Sequence, residues 1–85
     1  MENAITIYGT WWCGDCTRVR RFFDNNQITY QWIDIDQDEK AAQFVMATNR
    51  GMRSVPTIVF EDGSILVEPT ESQLKQMCGF VSPTG

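Results

Sequence analysis

Trp11-Trp12-Cys13-Gly14-Asp15-Cys16-Thr17-Arg18 is the stretch on which the reading of this chain turns. An apolar run precedes it and a helical pattern follows. With Cys13 at the start of that helix and Cys16 one turn on, the two side chains share a face. Their β-carbons then lie about 5–6 Å apart, within reach of a disulfide after modest adjustment. The thiolate is the reactive form of cysteine, and the free N–H groups and positive dipole end of a helix start favour it. A disulfide that closes so short a loop restrains little of the unfolded chain, so the pattern points to reversible redox chemistry rather than bracing. Asp15, between the cysteines, helps the first helical turn but repels a thiolate on Cys13, and Arg18 one turn on partly neutralises it. These two residues are candidate modulators.

Working outward, Ala4-Ile5-Thr6-Ile7-Tyr8 reads as a first strand, rich in β-branched residues and ended by Gly9. Cys16, Val19, Phe22 and Phe23 recur at three- and four-residue spacing, which predicts an amphipathic helix from Cys13 to about Asn25, stopped at Asn25-Asn26. Residues 28–35 (ITYQWIDI) alternate as a second strand, with Ile28, Tyr30 and Trp32, and also Ile33 and Ile35, competing for the buried face. Asp36-Gln37-Asp38-Glu39 supplies acidic residues for a helix start, continued by Ala41, Ala42, Phe44, Val45 and Thr48 and stopped by Gly51.

After Arg53-Ser54-Val55-Pro56 comes a third strand, Thr57-Ile58-Val59-Phe60. Asp62-Gly63 carries a hairpin signal, and Ile65-Leu66-Val67 follows as the fourth strand. Pro69-Thr70-Glu71-Ser72 opens a last helix running to about Cys78, with Leu74 and Met77 on its apolar side. The order βαβαββα predicts an α/β fold. Its first two strands are parallel through a right-handed crossover, and its last two are antiparallel through the hairpin.

A chain of 85 residues has room for one small domain, spanning 1–85. Its 42% hydrophobic and 21% charged content is that of a globular chain, and a formal charge of −4 argues against a nucleic-acid module. Arg18, Arg20 and Arg21 form a local basic cluster, readable as a solvated helix face or as an attractor for an anionic thiol. Met1-Glu2-Asn3-Ala4 lacks a signal-peptide profile and no run is long enough to span a membrane, so a cytoplasmic monomer without a membrane partner is expected. In a reducing compartment a Cys-x-x-Cys pair is more often catalytic or metal-binding than structural. Zinc takes four nitrogen or sulfur ligands, whereas this chain has no histidine and only Cys78 beyond the pair. Cys78 is expected to be a buried structural thiol.

The redox motif after the first strand, the βαβαββα order and the Val-Pro before the third strand together resemble the thioredoxin fold in its short glutaredoxin form. Within that group the chain is similar to the mycoredoxin-type glutaredoxin-like proteins, through TIYGTWWCGDCTR (6–18), IDIDQDEKAAQFV (33–45), NRGMRSVPTIVFEDGS (49–64) and EPTESQL (68–74). The resemblance implies a four-stranded mixed sheet flanked by three helices. It implies that Cys13 attacks a disulfide and Cys16 resolves the mixed disulfide. Pro56 is implied to be the cis-proline of the fold, and Val55 before it to offer backbone hydrogen bonds to an extended substrate. Trp11 and Trp12 are then either a flat platform by the thiol or, for Trp12 equally, a core residue; Trp32 is assigned to the core.

Two departures from glutathione-dependent glutaredoxins bear on the substrate. Thr10 stands where many of them have a lysine, and Val67-Glu68-Pro69-Thr70-Glu71-Ser72 lacks their Gly-Gly-acidic clamp. A different low-molecular-weight thiol such as mycothiol therefore fits better than glutathione, with Arg53 and Thr70 as candidate contacts. The implied activity is thiol–disulfide oxidoreduction on mixed or protein disulfides. No cofactor is bound, a small thiol serves as co-substrate, and electrons return from that thiol or from a flavin-dependent reductase. Two alternatives stay open: a dedicated electron donor to a reductase such as ribonucleotide reductase, and a dimeric iron–sulfur cluster scaffold.

Overall fold

The computed structural model describes residues 5–77; Met1 to Ala4 and the thiol expected at Cys78 lie outside them. The elements follow the expected order: β1 (Thr6–Gly9), α1 (Gly14–Asn25), β2 (Gln31–Asp34), α2 (Glu39–Thr48), β3 (Thr57–Val59), β4 (Ile65–Val67) and α3 (Glu71–Met77). They build a four-stranded sheet of order β2-β1-β3-β4. β1 pairs in parallel with β2 and antiparallel with β3, and β3 pairs antiparallel with β4. The central position of β1 delivers the loop that follows it, which carries the cysteines, to the middle of one sheet edge.

Both sheet faces are covered. On one, Ile7, Ile58 and Phe60 pack with Val19, Phe22 and Phe23 of α1 and Leu74 of α3. On the other, Ala41, Ala42 and Val45 of α2 pack with Ile35, Ile33, Tyr8 and Val55. This resolves the competition within residues 28–35, because neither set has to face water. Ile28, Tyr30 and Trp32 pack toward the α1 and α3 side, while Ile33 and Ile35 pack toward α2. The paired strand is also shorter than expected, since β1 offers partners only for Gln31 to Asp34. Ile28 still bonds back to the Phe23 carbonyl at the helix exit.

Two apolar positions are more open than their spacing suggests. Phe44 is half out of the core and lies 5.0 Å from the Tyr8 ring, and Met77 is on the exposed side of α3. The helix starts are capped as the acidic and hydroxyl residues require. Asp38 Oδ1 accepts the Ala41 N–H at 3.0 Å to open α2. At α3, the Thr70 hydroxyl accepts the Gln73 N–H at 3.1 Å and Gln73 Oε1 accepts the Thr70 N–H at 2.8 Å, a reciprocal capping box.

Candidate active site

Cys13 is the N-cap of α1, with extended backbone (φ −87, ψ 120). Its Sγ accepts the N–H of Cys16 at 3.3 Å, so one of the unsatisfied donors at the helix start already points at the sulfur. Its carbonyl accepts from the Thr17 N–H at 3.2 Å and the Thr17 hydroxyl at 3.3 Å, which fixes the turn. On its outer side the thiol lies 3.9 Å from the Val55 carbonyl, directly before the cis Val55–Pro56 bond. The loop before β3 and the helix start therefore meet at this sulfur, as the resemblance implied.

Cys16 has a different setting. It is 0% exposed. A β-carbon added to Gly9 would come within 2.6 Å of its Sγ and 2.7 Å of the Trp32 ring, so the strand backbone at Gly9 closes directly over the sulfur. Burial pushes the Cys16 thiol up to about 12. Hydrogen bonding from the Thr10 backbone works against that shift, while Cys13 and the charge of Asp15 add to it. Thr10 itself is buried at 2%, and no lysine reaches the site from its position.

The flanking aromatic residues divide. Trp12 is 76% exposed, which removes it from the core and leaves the platform reading. Its Nε1 donates to Asp36 Oδ2 at 2.9 Å, and Arg53 donates to the other oxygen, Oδ1, also at 2.9 Å. Trp11 leans on Trp32 with ring centroids 5.1 Å apart, and the Arg20 guanidinium lies 4.3 Å from the Trp11 ring and 4.5 Å from that of Trp32. Trp32 packs against the core, as expected, with its Nε1 buried.

The basic cluster is thereby split. Arg20 is taken into the Trp11–Trp32 stack, and Arg18 pairs with Asp15 at 3.7 Å and donates to the Pro69 carbonyl at 2.8 Å. Arg21 is exposed and lines a shallow groove with Arg18 and Glu71. The hydroxyl of Thr70 accepts the Gln73 N–H and donates to Gln73 Oε1 at 3.3 Å, which leaves one lone pair for a ligand.

Residues 5–65 match the glutaredoxin family. The chain is a glutaredoxin family member. A Mycobacterium tuberculosis (strain H37Rv) protein that carries the name glutaredoxin is 44% identical over 72 residues, 85% of this chain and 86% of its own. Mycoredoxin 1 of Corynebacterium glutamicum is 38% identical over 74 residues, covering 87% of this chain and 90% of its own. In fold, the glutaredoxin of Methanosarcina mazei Go1 superposes with a TM-score of 0.77 over 92% of this chain and 80% of that one, at 20% identity. A buckwheat glutaredoxin–glutathione complex superposes with a TM-score of 0.66 at 29% identity, over 95% and 74%.

As a glutaredoxin the protein is a thiol–disulfide oxidoreductase, and among the described residues its free thiols are Cys13 and Cys16. The geometry gathers Cys13, Cys16, Val55 and Pro56 at one point and ties Trp12 to Arg53 beside them through Asp36. It connects Arg18 to the Thr70 turn through Pro69. Two participants were missed by sequence reasoning. Gly9 was read only as a strand end, and Asp36 only as an acidic residue before a helix, whereas Asp38 fills that role. No local pattern marks either residue, because both act on groups more than five positions away in the chain.

Proposed function

We propose that this glutaredoxin reduces mixed disulfides in the cytoplasm, using an uncharged low-molecular-weight thiol of the mycothiol type as its co-substrate. The observation that carries the reading is the contrast within the motif, with Cys13 open at a helix start beside the Val55 carbonyl and Cys16 sealed behind it. The Cys13 thiolate attacks one sulfur of the substrate disulfide. A Cys13–sulfur bond forms as the substrate S–S bond breaks, and the leaving thiolate takes a proton from water. The mixed disulfide on Cys13 is then opened by a second small thiol or by Cys16. In the latter case Cys16 loses its proton, bonds to Cys13 Sγ and releases the bound thiol, so two electrons have passed from the protein to the substrate. Two small thiols return the protein to its reduced state and leave as their own disulfide, which a flavin-dependent reductase recycles on this reading.

The choice of thiol is supported by the likeness to Mycoredoxin 1, by Thr10 in the position of the expected lysine and by the missing Gly-Gly clamp before α3. The test is to oxidise the protein and offer mycothiol, glutathione and thioredoxin reductase side by side. Mycothiol with its reductase is expected to restore the free thiols fastest. Restoration at least as fast by glutathione would defeat the assignment of the thiol while leaving the disulfide chemistry intact.

A further inference from the structure

Two arginines that touch the segments around Cys13, Arg18 and Arg53, are each paired with a carboxylate. Arg18 faces Asp15 at 3.7 Å and Arg53 faces Asp36 at 2.9 Å, while the Arg20 guanidinium lies against both the Trp11 and Trp32 rings. Asp36 has a particular place in this pattern. Its two oxygens hold Trp12 and Arg53, each at 2.9 Å, and its own N–H is held by Asp34 Oδ1 at 2.9 Å. Trp12 adjoins Cys13 in the chain, and Arg53 is two residues before Val55, whose carbonyl lies 3.9 Å from Cys13 Sγ. The bridge therefore joins the two segments that meet at the Cys13 sulfur. A groove beside it is lined by Arg53, Asp36 and a second carboxylate, Glu39.

We propose that Asp36 sets the charge of the thiol this site accepts, by holding Arg53 in an ion pair so that a carboxylate-bearing thiol finds that cation already taken. The inference rests on the uncharged-thiol reading given above. Glutathione carries two carboxylates, and to pair with Arg53 it has to displace Asp36 from a guanidinium that Asp36 contacts within the same chain. A thiol whose cysteine is acylated and amide-linked to a sugar carries hydroxyls in place of carboxylates, needs no counter-ion and leaves the bridge in place. Asp36 is thus a specificity-determining residue that acts through Arg53, and selectivity arises as much from disfavouring one ligand as from binding the other.

The experiment is a single-turnover measurement in which pre-reduced protein is mixed with excess disulfide and oxidation of the Cys13–Cys16 pair is followed. The protein thiols are the only reductant, and each turnover releases two small thiols. Glutathione disulfide is compared with the uncharged 2-hydroxyethyl disulfide, and the readout is the ratio of their apparent second-order rate constants. Asp36→Asn is expected to raise the ratio in favour of glutathione disulfide by about three- to tenfold, the scale of an exposed charge-assisted contact, through a lower half-saturating concentration. Asp36→Ser should give the same sign if Asp36→Asn folds poorly. Asp36→Glu should restore the native ratio, and Asp36→Asn/Arg53→Gln should abolish the gain. Asp62→Asn makes the same change in net charge at the hairpin, beyond the opposite end of β3, and should leave the ratio as it is. An unmoved ratio in both Asp36→Asn and Asp36→Ser, or an equal rise in Asp62→Asn, would overturn the proposal. A native protein that already prefers glutathione disulfide would instead remove the uncharged-thiol reading on which it rests.

Discussion

Two sulfurs one helical turn apart occupy opposite environments in this glutaredoxin. Cys13 is half-buried at the cap position, receives a backbone N–H and meets the Val55 carbonyl at the rim. Cys16 points into the fold, closed off by Gly9 and Trp32, and burial holds its proton in place to about 12. The environment rather than the residue type separates the two sulfurs: a thiol one turn deeper has to ionise into a medium that solvates charge poorly. The resolving step proposed for Cys16 suits that arrangement, since its sulfur is closed off from outside partners and its N–H lies 3.3 Å from Cys13 Sγ.

The largest expected effect comes from exchanging either sulfur for oxygen. Cys13→Ser should reduce disulfide turnover to the uncatalysed background. Cys16→Ser should retain the first step and accumulate a mixed disulfide on Cys13, visible by mass spectrometry as an adduct of the mass of the substrate thiol. Adducts on Cys16 in the native protein, or turnover by Cys13→Ser, would reverse the roles.

The second effect is on stability in alkali. In the unfolded chain a cysteine ionises near 9.0, but folded Cys16 holds its proton to about 12. Between those values the unfolded state has lost a proton that the native state keeps. The stabilisation is thus complete below pH 9 and is lost as pH rises toward 12, by at most about 1.4 kcal/mol per pH unit. Burial also raises Tyr8 and Tyr30, which act in the same direction, so the useful measure is a difference. The urea midpoint of reduced native protein should fall more steeply above pH 9 than that of Cys16→Ala. Parallel slopes would show that Cys16 is not held protonated.

What the sequence made legible follows the same division between local and distant interactions. The seven elements were readable because their signals are local: the Cys16, Val19, Phe22, Phe23 stripe, the Asp62-Gly63 turn and the β-branched strands. The motif was readable because its spacing is itself the chemistry. The central place of β1 and its antiparallel pairing with β3 were not, because Thr6 meets Val59 across the whole length of the intervening βα units. Alternation along residues 28–35 suggested one buried face, and only the arrangement of α1 and α3 against α2 shows that both are covered. Trp12 was undecided because a tryptophan is equally at home in a core or on a rim. A carboxylate on the next loop, Asp36, is what holds it outside.

Gly9 offers a smaller perturbation aimed at the closed side alone. The β-carbon of Gly9→Ala would lie 2.6 Å from Cys16 Sγ and 2.7 Å from the Trp32 ring, closer than real contacts allow, and neither neighbour is the end of a flexible chain. Overpacking of this kind costs about 1–3 kcal/mol, and each kcal/mol lowers the melting temperature of a domain this size by about 4–8 °C. Relief by displacement of Cys16 should also slow closure of the Cys13–Cys16 disulfide, while the first attack by Cys13 changes less. A stable variant with native closure kinetics would mean that the strand does not fix the position of Cys16.

The finest test concerns Asp15, the one charge placed between the two sulfurs. Its side chain is 59% exposed and pairs with Arg18 at 3.7 Å, so water and a counter-ion both weaken its field at the rim. Among the influences that keep Cys16 protonated its charge comes last, after burial and the Cys13 contacts. Asp15→Asn removes a repulsion felt by a developing thiolate on Cys13 and frees the Arg18 cation one turn away, and both changes act in the same direction. Charges near a helix terminus are worth about 0.3–1 kcal/mol, so alkylation of Cys13 by iodoacetamide at neutral pH should accelerate about two- to fivefold at low salt. In 1 M salt, where the screening length shrinks to about 3 Å, the difference should disappear. Acceleration that survives high salt would locate the effect in the shape of the helix start rather than in its charge. No acceleration at low salt would mean that the N–H groups around Cys13 set its reactivity alone.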